Sequence, residues 1–391
     1  MKILYVSPYP PARDGIGTYT HHLATAMRSQ GHEVRIVVPR PVQGSPDEVI
    51  GVLRAPARGP GKLDPAVLDW QPDVVHVQFA VAAFGTRTPV VLRWLGLLRR
   101  QLAGATVVAT LHEVTRDVST LRGAGRALYR ALGGHCDRII VHTQPALAAV
   151  TQQIGVPAEK AIVVPHPDAQ PSLPGTPASE LRTRFGLDHA TVLLAFGFIH
   201  VDKGLDDLVE ALGMLRHSQA ASSGEARLVI AGAVRRRQGL FRVLEARDHR
   251  HYARVLRMAQ RLGVRQRLVP AGYVPEHEVA GWFEAADAVV LPYRRTEQSG
   301  VAGLANAFRV PVIASTAGGL GEQFSGTPWT FPPRDVSRLA AVLEAFLSAT
   351  PEQRSAAARL HRTIDVRTVA ASTVDVYAAA RAATGGLLHA T

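Results

Sequence analysis

Twelve short apolar runs alternate with longer stretches of helical spacing, and this alternation constrains the chain more than any other feature. The first six are KILYVSP, EVRIVVP, DVVHVQF, ATVVATLHE, RIIVHT and AIVVPH. The second six are TVLLAFGF, RLVIAGA, RLVPAGYV, AVVLPYR, VPVIAS and WTFPP. Most are continuously apolar, which indicates strands buried on both faces, as in parallel sheets. Interleaved helices then imply doubly wound α/β domains. At 391 residues the chain exceeds one comfortable core, so two domains are expected. A first Rossmann-like domain is read over 1–170 and a second over 188–367. The linker is placed at 171–187, overlapping PHPDAQPSLPGTPASEL at 165–181, which carries five prolines in seventeen residues. The pattern leaves open whether the closing helix, 368–391, packs on the second domain or crosses back to the first.

Composition narrows the partners. The net charge is +12, and only four lysines occur, Lys2, Lys62, Lys160 and Lys203, so arginine carries the charge. A general preference for arginine accounts for this more readily than attraction to anions such as nucleotide phosphates or a membrane surface, which stays open as the alternative. No helix-turn-helix, paired-aromatic or zinc spacing points to nucleic acid. The single cysteine, Cys136, excludes an internal disulfide and fits a reducing compartment. MKILYVSP enters a strand directly, and VVLRWLGLL is interrupted by Arg93, so a cytoplasmic protein is expected. The basic, apolar stretch TPVVLRWLGLLRR keeps a peripheral membrane contact open beside its reading as a buried helix with outward arginines.

Several turns lie where a strand hands over to a helix, the ligand edge of a parallel sheet. Gly15 and Gly17 in DGIGTYTHHL would let backbone amides approach a phosphate, or serve only as a tight turn. They fail the dinucleotide fingerprint, because Thr20 stands at the third glycine position. In AFGFIHVDKGLDDL, Gly197 ends a strand, His200 follows, and Lys203 precedes Gly204 and a helix. A lysine there can neutralise a diphosphate, or be an ordinary surface charge. TLHE puts His112 and Glu113 on the same kind of edge, where an imidazole can bond a substrate hydroxyl or merely pack. His76, Gln78 and His142 have weaker claims on that edge, and His166 is read as positioning the linker. The Tyr273–Val274 backbone could hold a base edge. In RRTEQSGVAGLANAF, Gln298, Ser299, Gly300 and Val301 open a helix whose first amides form an anion site.

Taken in order, GIGTYTHHLATAMRSQGHEV, DVVHVQF, TLHE, VVPHP, FGFIHVDKGLDDLVEAL, AGYVPEHEVAGWFEAADAVVLPYR and PVIASTAGGLGE resemble glycosyltransferase family 4 over almost the full length. The resemblance implies the GT-B fold, two Rossmann-like domains facing a cleft. It also implies retaining, metal-independent transfer from a UDP- or GDP-sugar to a hydroxyl acceptor, with the leaving diphosphate taking the acceptor proton. No Asp-x-Asp occurs in the sequence. Carried over, Gly15 to Gly17 face the donor phosphates, Lys203 binds the diphosphate, and His112 lies beside the transferred sugar. No cofactor beyond the donor and no metal site is expected. The acceptor can be a small molecule, a glycan or a lipid-linked group.

Two departures stand out. Phe198 replaces the family's arginine after the strand glycine, and His200 stands where a related FGxIRxxKG pattern has arginine. The Glu-x7-Glu pair is incomplete, since Glu297 has Ala305 eight residues on. A branch with TQSG in this region fits better, so Glu297 is read as a nucleoside contact and the loss at Ala305 as a ribose contact, not the chemistry. A non-catalytic nucleotide-sugar binder and an epimerase or hydrolase on the same fold are the alternatives. An NAD-dependent oxidoreductase lacks the acidic ribose ligand.

Overall fold

The structure, a computed structural model, describes residues 1–12, 14–54, 63–168, 175–216, 226–235, 242–360 and 364–388. They form two packed units, one of Met1–Pro167 with the chain from Ile364 onward, the other Asp168–Thr363.

The first unit holds β1 (Lys2–Val6), β2 (Glu33–Val38), β3 (Val49–Val52), β4 (Val74–Phe79), β5 (Thr106–Leu111), β6 (Arg138–Val141) and β7 (Ala161–Val163). Their order is β3-β2-β1-β4-β5-β6-β7, and every pairing is parallel. The continuous apolar runs have the expected cause, since β4 and β5 are buried at every position. Side chains alternate between faces. Leu4, Val75, Val77, Phe79, Val107 and Ala109 enter one core, beside helix Thr88–Gln101. Ile3, Tyr5, Val74 and Val108 enter another, closed by helix Gly15–Ser29 and helix Val366–Leu388. The closing helix therefore packs with the first unit, against helix Gly15–Ser29 and β5. Helix Thr88–Gln101 buries Val90, Val91, Trp94, Leu95, Leu97 and Leu98. Its apolar face is thus core, which removes the exposed stripe a membrane contact there would need.

The second unit holds β8 (Val192–Phe196), β9 (Arg227–Ala231), β10 (Leu268–Pro270), β11 (Ala288–Leu291), β12 (Val312–Ser315) and β13 (Thr330–Phe331). The order is β10-β9-β8-β11-β12-β13, again parallel throughout. Part of the stretch read as linker is structured: Ala178–Arg184 is a helix, with Leu181 and Leu187 buried beside Trp282. Its prolines cap and precede that helix, and Pro177 sits at the N-cap. Residues 171–174 of the linker reading lie outside the described residues. Among the described residues no helix is long and apolar enough to cross a membrane.

Candidate active site

In the first unit the carboxyl ends of β4, β5 and β6 carry a buried polar group. Register places His76 and Gln78 on one face of β4, with Tyr5 of β1 opposite His76 and Thr110 of β5 opposite Gln78. His76 and Gln78 are both fully buried. His112 Nε2 lies 2.8 Å from Gln78 Oε1. The His142 ring is 5.0 Å from the His112 ring, and the His166 ring is 5.3 Å from His142. Tyr19 packs edge-on to His112 and His142 and tilted over His166. Thus His166, read as a linker residue, belongs to this cluster, and Tyr19 joins it unpredicted. His142 Nδ1 donates to Val164 O at 2.9 Å, which leaves its buried Nε2 without a partner.

Burial sets the charge state here. Desolvation pushes His76 and His142 down to about 3 and His166 to about 4. His112 falls well below the ordinary histidine value, by burial and by its histidine neighbours. These imidazoles are neutral hydrogen-bonding groups at pH 7. Among the described residues no group of three or more His, Cys, Asp or Glu side chains is arranged to hold a metal ion.

The Gly15–Gly17 turn has its own structural reason. Asp14 Oδ1 caps the helix by accepting from Ile16 N at 2.9 Å and Gly17 N at 3.1 Å. A Cβ at Gly17 would stand 3.2 Å from Pro8 C, so the close approach of helix to strand end requires glycine. The Gly17 amide is therefore committed to a carboxylate in this structure.

In the second unit, Gly197, Phe198, His200, Lys203, Pro292 and Tyr293 line one cleft at the ends of β8 and β11. Three residues singled out in sequence, Gly197, His200 and Lys203, are thereby brought together. Lys203 closes a 3₁₀ turn, and Gly204 (φ +64°) starts helix Leu205–Met214. A Cβ at Gly204 would collide with Pro292 O. This fixes the lysine against the next strand end, with Nζ 3.6 Å from the centroid of the Tyr293 ring. Among the described residues Lys203 makes no ion pair.

Arg294 locks the neighbouring helix start. Its guanidinium bonds Asp207 Oδ2 at 2.9 Å and Asp206 Oδ2 at 2.8 Å, and Arg294 N donates to Asp202 O at 2.8 Å. Those carboxylates, Asp207 first, hold Arg294 firmly in its charged form. Two further arginines border the cleft. Arg247 Nη2 lies 2.9 Å from His200 Nε2, and Arg235 stacks over Phe198 at 5.3 Å. Asp202 N lies 3.2 Å from the other ring nitrogen, Nδ1, so the His200 imidazole stands between two donors. Arg247 and Arg235 thus bring positive charge beside His200 and Phe198, the two positions where the resemblance expects arginine. Sequence reasoning missed both, because neither lies in a motif.

The remaining candidates sit nearby or apart. Ser299 caps helix Gly300–Ala307 through Oγ, accepting from Ala302 N at 3.2 Å. Gln298 Nε2 is buried without a hydrogen-bond partner. The Glu297 carboxylate oxygens are shielded from solvent, and Ala305 is fully buried in the apolar core with Ala302 and Phe283. Tyr273 is 64% exposed after β10, while Val274 packs on that same core.

Two doubly wound parallel sheets in one chain, each with a polar cluster at its carboxyl edge, make a two-domain α/β architecture of the GT-B kind. Comparison with known proteins agrees. The model for Glycosyltransferase Family 4 matches residues 13–167, and that for Glycosyl transferases group 1 matches 190–349. A glycogen synthase of Mycobacterium tuberculosis is 29% identical, covering 97% of this chain and 95% of the relative. A D-inositol 3-phosphate glycosyltransferase of Xylanimonas cellulosilytica is 27% identical over 78% of this chain and 76% of its own. Among solved structures, Anabaena HepE in complex with UDP and glucose superposes with TM-score 0.71 at 17% identity, covering 97% of this chain and 100% of that one. Each unit thus matches a glycosyltransferase family model, and the chain is a GT-B glycosyltransferase similar to family 4.

Proposed function

We propose that the chain moves a sugar from a UDP- or GDP-sugar to a hydroxyl acceptor with retention of anomeric configuration. The observation that carries this reading is Lys203. An ammonium without a carboxylate partner among the described residues, held over an aromatic face at the ligand edge of a parallel sheet, is a preorganised counter-charge for a diphosphate. In the reaction the bond from C1 to the diphosphate oxygen breaks, and the acceptor oxygen bonds C1 on the same face. The acceptor proton passes to the departing phosphate oxygen, and nucleoside diphosphate leaves. Negative charge grows on the diphosphate during this step, so a fixed cation stabilises the transition state more than the ground state.

Around that charge, His200, Gly197, Gln298, Ser299 and the Gly300–Val301 amides complete the phosphate cradle, and the Tyr273–Val274 backbone and Glu297 serve the nucleoside. His112 bonds a hydroxyl of the transferred sugar, and the Gly15–Gly17 turn approaches the donor phosphates once Asp14 releases its amides. Beyond the donor and the hydroxyl acceptor this reading calls for no cofactor. A panel of nucleotide sugars in a thermal-shift assay should single out one donor, which raises the melting temperature by mass action. NMR of the product formed from that donor should then show the donor's own anomeric configuration. An inverted product sinks retention, and tight donor binding without transfer or nucleotide release favours a non-catalytic binder.

A further inference from the structure

The buried contacts behind His112 form one continuous chain. His112 Nε2 meets Gln78 Oε1 at 2.8 Å, and Gln78 Nε2 meets His76 Nε2 at 3.3 Å. Thr110 Oγ1 also lies 2.7 Å from His76 Nε2. The opposite nitrogen, His76 Nδ1, lies 2.5 Å from the Tyr377 hydroxyl, which in turn is 3.3 Å from the Tyr5 hydroxyl. Tyr377 is fully buried and comes from the closing helix, 301 positions after His76.

Each link restricts the next, because an amide nitrogen only donates and an amide oxygen only accepts. With Gln78 Oε1 facing His112, the proton between them sits on His112 Nε2. Gln78 Nε2 then donates to His76 Nε2, as does the Thr110 hydroxyl, so that nitrogen carries a lone pair. The His76 proton is left on Nδ1 and needs an acceptor, which is the Tyr377 oxygen. Tyr377 spends its own hydrogen on Tyr5. One other assignment is self-consistent. In it the Gln78 amide is turned over, His76 carries its proton on Nε2, and His112 carries its proton on Nδ1.

We propose that Tyr377, acting through His76 and Gln78, is a positioning residue that holds His112 as the Nε2–H tautomer and so presents Nδ1 as a lone pair to a substrate hydroxyl. Among the described residues His112 Nδ1 makes no hydrogen bond. The ligand group that suits it is a neutral hydroxyl that donates, as on a sugar, and not an anion or an acceptor-only group. This rests on the reading of His112 as a substrate contact, but the tautomer itself does not. The helix that closes the chain thereby reaches the chemistry of a unit whose other elements precede it by more than two hundred residues.

The test is histidine-selective ¹⁵N NMR on the full chain, with the His112 signals assigned through His112→Gln. Wild type should show His112 protonated on Nε2 and bare on Nδ1. Tyr377→Phe removes the acceptor for His76 Nδ1–H. The His76 proton should then move to Nε2 and onto Thr110, the Gln78 amide should turn, and His112 should shift toward Nδ1–H. Turnover should fall roughly 3- to 10-fold with donor KM unchanged, the scale of one hydrogen bond. Tyr5→Phe keeps the Tyr377 oxygen beside His76 but frees its hydrogen, and should shift the His112 tautomer less than Tyr377→Phe does. Should Tyr377→Phe fail to fold, Gln78→Leu breaks the middle link and should give the same mixed tautomer. A wild-type His112 protonated on Nδ1, or a tautomer indifferent to both variants, overturns the proposal. An active His112→Ala would instead remove the substrate contact and leave the tautomer result standing.

Discussion

The two sheet edges are built on opposite electrostatic principles. The first unit carries four neutral imidazoles, an amide and buried hydroxyls at the carboxyl ends of β4 to β7, held by burial and by one another. The second ends β8 and β11 in cations. Lys203 lies over Tyr293, Arg247 touches His200, and Arg235 covers Phe198. A low-dielectric site rewards the first arrangement only if every donor finds an acceptor. The second works because a fixed charge is worth more where it need not reorganise. Hence the first edge is sensitive to which nitrogen holds a proton, and the second to how many charges are present. Variants that exchange these sensitivities would break the contrast.

The largest effect is expected at Lys203. Lys203→Ala should lower turnover about 10²- to 10³-fold, the usual cost of removing one preorganised stabilising group. The melting temperature should hardly change, because the lysine packs on one ring at the cleft and pairs with no carboxylate among the described residues. Turnover close to wild type would remove Lys203 from the diphosphate, and with it the observation on which the proposed activity stands.

The next effect belongs to the first edge and is read in stability. His76 and His142 have folded values near 3, below the unfolded histidine value of 6.5. Above pH 6.5 neither state binds the proton. As pH falls below 6.5 the unfolded chain takes up protons that the folded chain refuses, so stability drops until the folded values are reached. Each of the two should cost about 1.4 kcal/mol per pH unit across that window. Chemical denaturation at pH 7 and pH 5 measures this. Equal stability at both would mean these imidazoles are not buried and neutral.

Much of the fold was legible because burial on both faces writes most strands as apolar runs, and twelve of the thirteen strands among the described residues fall within the twelve runs singled out. The exception, β3, is a half-exposed edge strand with Gly51 inside it and a shifted register. It had little pattern to offer. The helix at 178–184 was hidden by prolines that cap it. At the site, Lys203 and His200 were legible since a turn between strand and helix brings them together locally. Tyr377 and Arg247 were not, as they reach their partners across 301 and 47 positions. Tyr19 was hidden inside a motif whose glycines drew the attention. Only the tertiary fold supplies such pairs.

The smallest effect separates the charges within the second edge. Arg247 shares its guanidinium between His200 Nε2 and Asp248 Oδ1, the latter at 3.2 Å, and its side chain is 44% exposed. Solvent screens such a group, so its attraction for a diphosphate is weaker than that of Lys203. Arg247→Ala should therefore raise donor KM roughly 3- to 10-fold while leaving kcat nearly intact, since an exposed charge assists ground state and transition state alike. Raising the ionic strength should shrink the difference between wild type and variant, because added salt screens what the variant has already lost. Arg247→Lys should recover most of the affinity if charge is what matters, and little if the donated bond to His200 is. A fall in kcat with KM unchanged would place Arg247 with Lys203 at the developing charge, and the second edge would then hold two equivalent cations rather than one principal and one auxiliary.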